Sequence, residues 1–339
     1  MTLIDASFFI KLGGILALSY VLNFFLVRYM YTIKILDIPN ERSSHLHVTP
    51  RSGGIALFIS CLFGFLVFDI HTSFLFLIPL SIVFIVGLYD DLYTLSSKLK
   101  LALTALAASL LFFMGFDIQH FGTFFGNEII LGFWIALLFY AFAVSGFVSA
   151  LNLIDGLDGL ASLVSLAILL PFAYIGFKYS DTFLFYTTCV TISAILGFLI
   201  LNWHPAKIFM GDSGSMLLGF IISIIVTYAI QKDYITAISV LLLAAVPIMD
   251  TLIVMLRRLL YKKNPFHADK THMHHIFLKH QQGDTRKTVL LVGLIQILFS
   301  YLGLGFKVRD DIFILILYVL CFVLFYFILT PNKAENNGN

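Results

Sequence analysis

Five short polar stretches carry most of the groups in this chain that could do chemistry. They are PNERSSHLHVTPRSGG (39–54), YDD (89–91), NLIDGLDG (152–159), NWHPAKIFMGDSGS (202–215) and HADKTHMHH (267–275). Adjacent carboxylates repel, so Asp90-Asp91 imply a bound cation, a basic partner or a retained proton; Lys100 follows nine residues later. Asn152, Asp155 and Asp158 recur at i, i+3, i+6 and would share one face if the segment is helical, although Asn and Asp also cap helices. Asp212 stands in a Gly-Asp-Ser-Gly turn before an apolar run, where an anion or a metal suits a helix start. No GK[ST] follows, so this is not a Walker A loop. Oxygen donors without thiolates favour Mg2+ or Mn2+ over zinc. His272, His274 and His275 sit in a basic stretch and read as phosphate binders in preference to a metal site. Phe209 could stack a base or simply pack. Together these are carboxylates for a divalent ion and cationic groups for phosphates, the equipment of phosphoryl transfer.

The elements that must position these groups are membrane helices. The chain is 60% hydrophobic and 12% charged, with 36 Phe and 2 Trp, and its mean hydropathy is +0.98. Those values exclude an ordinary soluble domain and a nucleic-acid binder. A spanning helix needs about 20 mostly apolar residues. Runs of that kind lie near 6–28, 53–70, 73–89, 99–115, 129–151, 159–178, 183–201, 214–230, 235–256, 289–306 and 311–330. The expected fold is all-α and polytopic, with about eleven transmembrane helices in one catalytic domain (1–331) and a polar tail at 332–339. Kinks are expected at Pro79 and Pro247. Asp5 precedes the first run without a basic region, so no cleavable signal is expected. Cys61, Cys189 and Cys321 lie in apolar runs and read as buried small hydrophobes.

Loop charge sets the expected orientation. Sixteen of the 21 Lys and Arg fall in the loops after the odd-numbered spans and in the tail. By the positive-inside rule that side is cytoplasmic, which puts the N-terminus outside and the C-terminus inside. All five polar stretches fall on that side, in loops 29–52, 90–98, 152–158, 202–213 and 257–288. Asp250, near the inner end of the ninth span, is expected to pair with Arg257 or Arg258. A transporter would instead place its acids at mid-membrane in broken, repeated helices, and no repeat is visible.

NLIDGLDGL, FMGDSGS, the Asp90-Asp91 pair and the HMHH loop, together with their topology, resemble the polyprenyl-phosphate N-acetylhexosamine-1-phosphate transferases across nearly the whole chain. RSSHLHVTPRSGG looks most like the branch that starts O-antigen and other surface-glycan lipids. The resemblance implies transfer of a sugar-1-phosphate from a UDP-N-acetylhexosamine to undecaprenyl phosphate in the bacterial inner membrane, releasing UMP. It implies Asp155 and Asp212 as Mg2+ ligands, and Asp90 and Asp91 at the acceptor phosphate. Lys100 would contact phosphate, Asn202 and Phe209 would hold uridine, and Asn152 and Asp158 would line the substrate site. His272, His274 and His275 would close it. The implied partners are these two substrates and membrane lipid, with a homodimer left open. Two positions depart from the family pattern: Ile276 follows the histidines where many relatives have Arg, and Ser52 replaces a Gly.

Overall fold

A computed structural model describes residues 3–33, 36–37, 48–70, 73–262, 264, 271–305 and 311–330. Most of the first polar stretch, His267 and the polar tail lie outside the described residues. The helices are α1 (Ala6–Ile33), α2 (Gly53–Val67), α3 (Ser73–Tyr93), α4 (Ser97–Phe113), α5 (Phe133–Ile154), α6 (Leu160–Lys178) and α7 (Thr182–Asn202). They continue as α8 (Gly211–Gln231), α9 (Val240–Leu243), α10 (Ala245–Leu260), α11 (Met273–His280), α12 (Thr285–Gly305) and α13 (Asp311–Leu329). Every expected apolar run coincides with a helix, the ninth in two pieces. Among the described residues, eight helices are long and apolar enough to cross a membrane. The chain is therefore a polytopic helical protein.

Two small ladders depart from the all-helical expectation. Strand β1 (Leu36–Asp37) pairs antiparallel with β2 (Thr49–Pro50), Leu36 opposite Pro50. Strand β3 (His120–Phe124) pairs with β4 (Asn127–Ile130), Phe124 opposite Asn127. Phe125 and Gly126 both have positive φ, 51° and 80°, the geometry of a two-residue turn between right-twisted strands. Residues 129–130, expected to open the fifth apolar run, belong to β4, and α5 begins at Phe133.

Helix α8 is the axis of the bundle. It is almost wholly buried and packs against α2, α3, α5, α6 and α7. In lipid no hydrophobic force draws helices together, so close backbone contact does the work. A Cβ on Gly54 would lie 2.3 Å from the Gly214 nitrogen, and one on Gly87 2.6 Å from the Asp212 carbonyl oxygen. Only glycine lets α2 and α3 press onto the first turn of α8. The outer helices turn Phe9, Ile10, Phe24 and Phe25 of α1, and Leu320, Leu324 and Phe327 of α13, away from the core, as lipid-facing surfaces do.

The ninth run breaks at Ala244, three residues before Pro247. A proline ring clashes with the carbonyl four residues back, here that of Leu243. Gln296 of α12 fills the gap: its Nε2 donates to the Leu243 oxygen and its Oε1 accepts from the Val246 nitrogen, each at 2.9 Å. Pro79, by contrast, lies inside an unbroken α3. Gln296→Leu should strand the Val246 nitrogen, leave the Leu243 oxygen only the longer 3.3 Å bond from Ser300 Oγ, and lower stability by about 1–3 kcal/mol. Thermal unfolding in detergent should show the loss; an unchanged transition would mean the break needs no bridge.

Candidate active site

The chemistry-bearing residues converge at one end of the bundle, where α3 ends, α4 begins, α5 ends and α8 begins. Five side chains there form an alternating chain of charge. Arg51, between β2 and α2, places Nε 3.2 Å from Asp91 Oδ1 and Nη2 2.5 Å from Asp212 Oδ1. Lys100, in the first turn of α4, places Nζ 2.5 Å from Asp212 Oδ2 and 3.0 Å from Asp90 Oδ2. The order is Asp91, Arg51, Asp212, Lys100, Asp90, with Asp212 shared by both cations.

Each acid has a second, local reason for its position. Asp91 lies in the last turn of α3 with its side chain fully buried. Its oxygens accept from the backbone nitrogens of Asp212 (2.8 Å) and Ser213 (3.0 Å), the first amides of α8. Those amides have no partner within the helix, and its positive end favours a carboxylate. Gly211 makes room for this cap: its φ is +74°, and a Cβ would meet Asp91 Oδ2 at 2.6 Å. Asp90 Oδ1 accepts from the Leu95 nitrogen at 2.5 Å, closing the turn between α3 and α4.

Arg51 is delivered by backbone pairing. Phe209 N donates to the Pro50 oxygen, and Gly53 N and Gly54 N donate to the oxygens of Phe209 and Met210. The residues ahead of α2 thus lie along those ahead of α8. Phe209 is committed through its backbone, whatever its half-buried ring does.

The NLIDGLDG segment does not keep one helical face. Helix α5 ends at Ile154, and the chain turns through Gly156 and Gly159 before α6. The three polar groups therefore diverge. Asn152 Nδ2 donates to Ser215 Oγ of α8 at 2.9 Å. Asp158 Oδ2 meets His204 Nδ1 at 2.7 Å and accepts from the Ala206 nitrogen at 3.0 Å. Asp155 accepts no hydrogen bond from any described residue. Burial, first of all, pushes its carboxyl up to about 7, against the pull of Arg51 and with help from Asp212, Asp91 and Asp158. Asn202 is buried and occupied on both sides, accepting from Gly159 N (3.0 Å) and donating to the Ile208 oxygen (2.8 Å).

The histidines reach the acids through Gly156. His274 is 2% exposed, and neither ring nitrogen has a hydrogen-bond partner. Its Nε2 would lie 2.3 Å from a Cβ on Gly156, the residue after Asp155. Burial, then the charges of His275 and His272, hold its pKa down at about 3, so it is neutral at pH 7. The His275 ring lies 4.2 Å from that of His274. His272 Nδ1 lies 2.7 Å from Asp250 Oδ2. Asp250 thus pairs with His272 and the Met273 backbone, not with an arginine as expected. Arg257 instead donates to the carbonyls of Leu329 and Thr271.

The donor set fits a divalent cation of the Mg2+ type. Four carboxylates (Asp90, Asp91, Asp155, Asp212) against two cations (Arg51, Lys100) leave two formal negative charges, and the donors are oxygens. Among the described residues no three acidic, thiol or imidazole groups already form a cage. Mg2+ is commonly held by one or two carboxylates together with substrate phosphates and water. Asp212 and the uncommitted Asp155 are the groups that suit it.

Residues 73–230 match glycosyl transferase family 4. A "Probable undecaprenyl-phosphate N-acetylglucosaminyl 1-phosphate transferase" of Bacillus subtilis (strain 168) is 32% identical over 313 residues, covering 91% of this chain and 86% of that protein. The "Undecaprenyl-phosphate alpha-N-acetylglucosaminyl 1-phosphate transferase" of Thermotoga maritima is 33% identical over 324 residues, 94% of this chain and 97% of the relative.

Sequence reasoning did not place Arg51 in the site, and it gave Asp250 an arginine as partner where the structure gives His272. Arg51 is 161 residues from Asp212, and the one local signal was a basic residue just ahead of a Gly-Gly helix start. The Asp91 cap can be tested with a matched pair of glycines. Gly283 also has positive φ (+85°) but open space around it. Gly283→Ala should cost only the left-handed strain of about 1–2 kcal/mol. Gly211→Ala should lower the unfolding temperature in detergent clearly further, because it also displaces Asp91. Equal shifts would mean the cap matters little.

Proposed function

Because this chain belongs to the polyprenyl-phosphate N-acetylhexosamine-1-phosphate transferases of glycosyl transferase family 4, and so is a phosphoglycosyltransferase, we propose that it transfers N-acetylhexosamine-1-phosphate from a UDP-sugar to undecaprenyl phosphate. The relatives' names make N-acetylglucosamine the first sugar to test. The product would be the first lipid-linked intermediate of O-antigen or another surface glycan, made at the cytoplasmic face of the bacterial inner membrane. We take the eleven-span arrangement with the N-terminus outside as part of this reading.

An oxygen of the lipid phosphate attacks the β-phosphorus of the donor. A new P–O bond forms there, the bond from that phosphorus to the bridging oxygen breaks, and UMP leaves with the electron pair. Asp155 and Asp212 would hold Mg2+, which would supply neutralisation of the pyrophosphate charge. Lys100, between Asp212 and Asp90, is placed to meet a phosphate oxygen. Arg51 offers a second cation on the opposite side of Asp212, and a guanidinium suits phosphate geometry. Asp90 stands at the acceptor side. Asp91, fully buried beneath two amides and Arg51, acts by holding them in place. His274 gives a neutral wall against Gly156. The observation that carries this reading is the alternating charge chain at one end of a membrane bundle, which together with Asp155 holds two formal negative charges in excess.

Purified protein with Mg2+, radiolabelled UDP-N-acetylglucosamine and undecaprenyl phosphate should yield a labelled lipid and UMP. Since even outer partners of a metal ligand are worth about 10–100-fold, Asp212→Asn should cost more than about 100-fold in turnover. Near-normal turnover, or no lipid product with any UDP-N-acetylhexosamine, would overturn the reading. Orientation is checked separately. A cysteine at Ser97, exposed at the site end of α4, should react only from the cytoplasm. One at Phe125, 86% exposed in the β3–β4 turn, should react only from outside. Labelling of both from one side would break the arrangement.

A further inference from the structure

Asp250 is 1% exposed on α10, yet both of its oxygens are engaged by the histidine loop. Oδ1 accepts from the Met273 nitrogen at 2.6 Å, and Oδ2 lies 2.7 Å from His272 Nδ1. Met273 opens α11 and His272 is its N-cap, so the carboxylate sits against a helix start, where negative charge is favoured. Seven residues on, two helical turns along the same face, Arg257 donates to the Thr271 carbonyl. The inner stretch of α10 therefore grips residues 271–273 from behind.

An ionised carboxylate only accepts hydrogen bonds, so Nδ1 of His272 must carry a proton. Nε2 makes no hydrogen bond to any described residue and is the nitrogen left for a ligand. The His272 ring stacks on that of His274 (5.9 Å, 15°), which lies against Gly156 beside Asp155. Hydrogen-bonded contact and ring packing thus run from α10 to the edge of the acid cluster. We propose that Asp250 is a positioning residue of the reaction, acting through His272: it holds the ring with Nδ1–H inward and fixes Nε2 as the nitrogen that faces the bound donor. Among the described residues, the other charged or titratable groups nearest the pair are His274, His275 and, through Thr271, Arg257. His274 is kept neutral by burial.

The inference rests on the proposed transfer activity, and a double-mutant cycle tests it. Asp250→Asn keeps the shape, but its amide presents an N–H to Nδ1 and forces the proton to Nε2. Alone it should lower kcat/KM for UDP-N-acetylglucosamine by about 10–100-fold, as loss of an outer partner does. In a His272→Gln background the same change should cost less than about twofold, because coupled residues are not additive. Equal losses in both backgrounds would overturn the proposal and leave Asp250 as a support for α11 alone. A second readout needs neither activity nor a change at Asp250. With 15N-labelled histidine, the His272 signal, identified by its loss in His272→Gln, should show Nδ1 protonated. An unprotonated Nδ1 would overturn the proposal even if transfer is observed. Absence of transfer in the unaltered protein would instead count against the transferase reading.

Discussion

Asp212 shares its carboxylate between Arg51 and Lys100, and the rest of the site hangs on that shared charge. The chain Asp91, Arg51, Asp212, Lys100, Asp90 joins segments that are far apart in sequence: the entry to α2, the end of α3, the start of α4 and the start of α8. Charges this poorly solvated are tolerable only when paired, and removing one member leaves another buried without compensation. The same bonds that clasp four helices therefore gather the groups that can meet phosphate. The excess of acid over base makes the cluster incomplete without a further cation, and that couples the stability of the site to its chemistry.

Such a cluster requires the first turn of α8 to be approached closely from several sides. Gly54 and Gly87 let α2 and α3 touch it at backbone distance, and Gly211 turns the chain so that Asp91 can cap the helix. The helix start is thereby fixed in position while its amides are spent inside the protein. Asn152, Asn202 and Asp158 work in the same way around it. Each satisfies backbone or side-chain groups between elements, so the turn bearing Asp155 and the segment leading into α8 are stapled on either side.

The histidine loop is held by different means. Helix α10 grips it through Asp250 and Arg257, and α10 itself begins at a break caused by Pro247 and bridged by Gln296. An interrupted helix inside a membrane must find partners for its freed backbone groups. Here a single amide side chain from α12 provides both, and α10 takes a fixed direction from that point.

By itself the sequence determined that this is a multi-pass helical protein, where each apolar run lies, and which family it belongs to. Those properties follow from hydropathy and from local motifs, which need no knowledge of what touches what. It also marked Asp90, Asp91, Asp155, Asp212 and Lys100, because charge beside lipid is costly and stands out. It did not reveal that Asp91 caps α8, that Arg51 bridges two acids, or that Asp250 answers His272 and not an arginine. Nor did it show that Asn152, Asp155 and Asp158 part company at Gly156, or that 120–130 forms a hairpin. Each of these depends on contacts between residues remote in the chain, or on a turn direction decided by what packs against it. Periodicity reports which face of a helix is apolar; only the packed bundle decides which partner each polar group finds there.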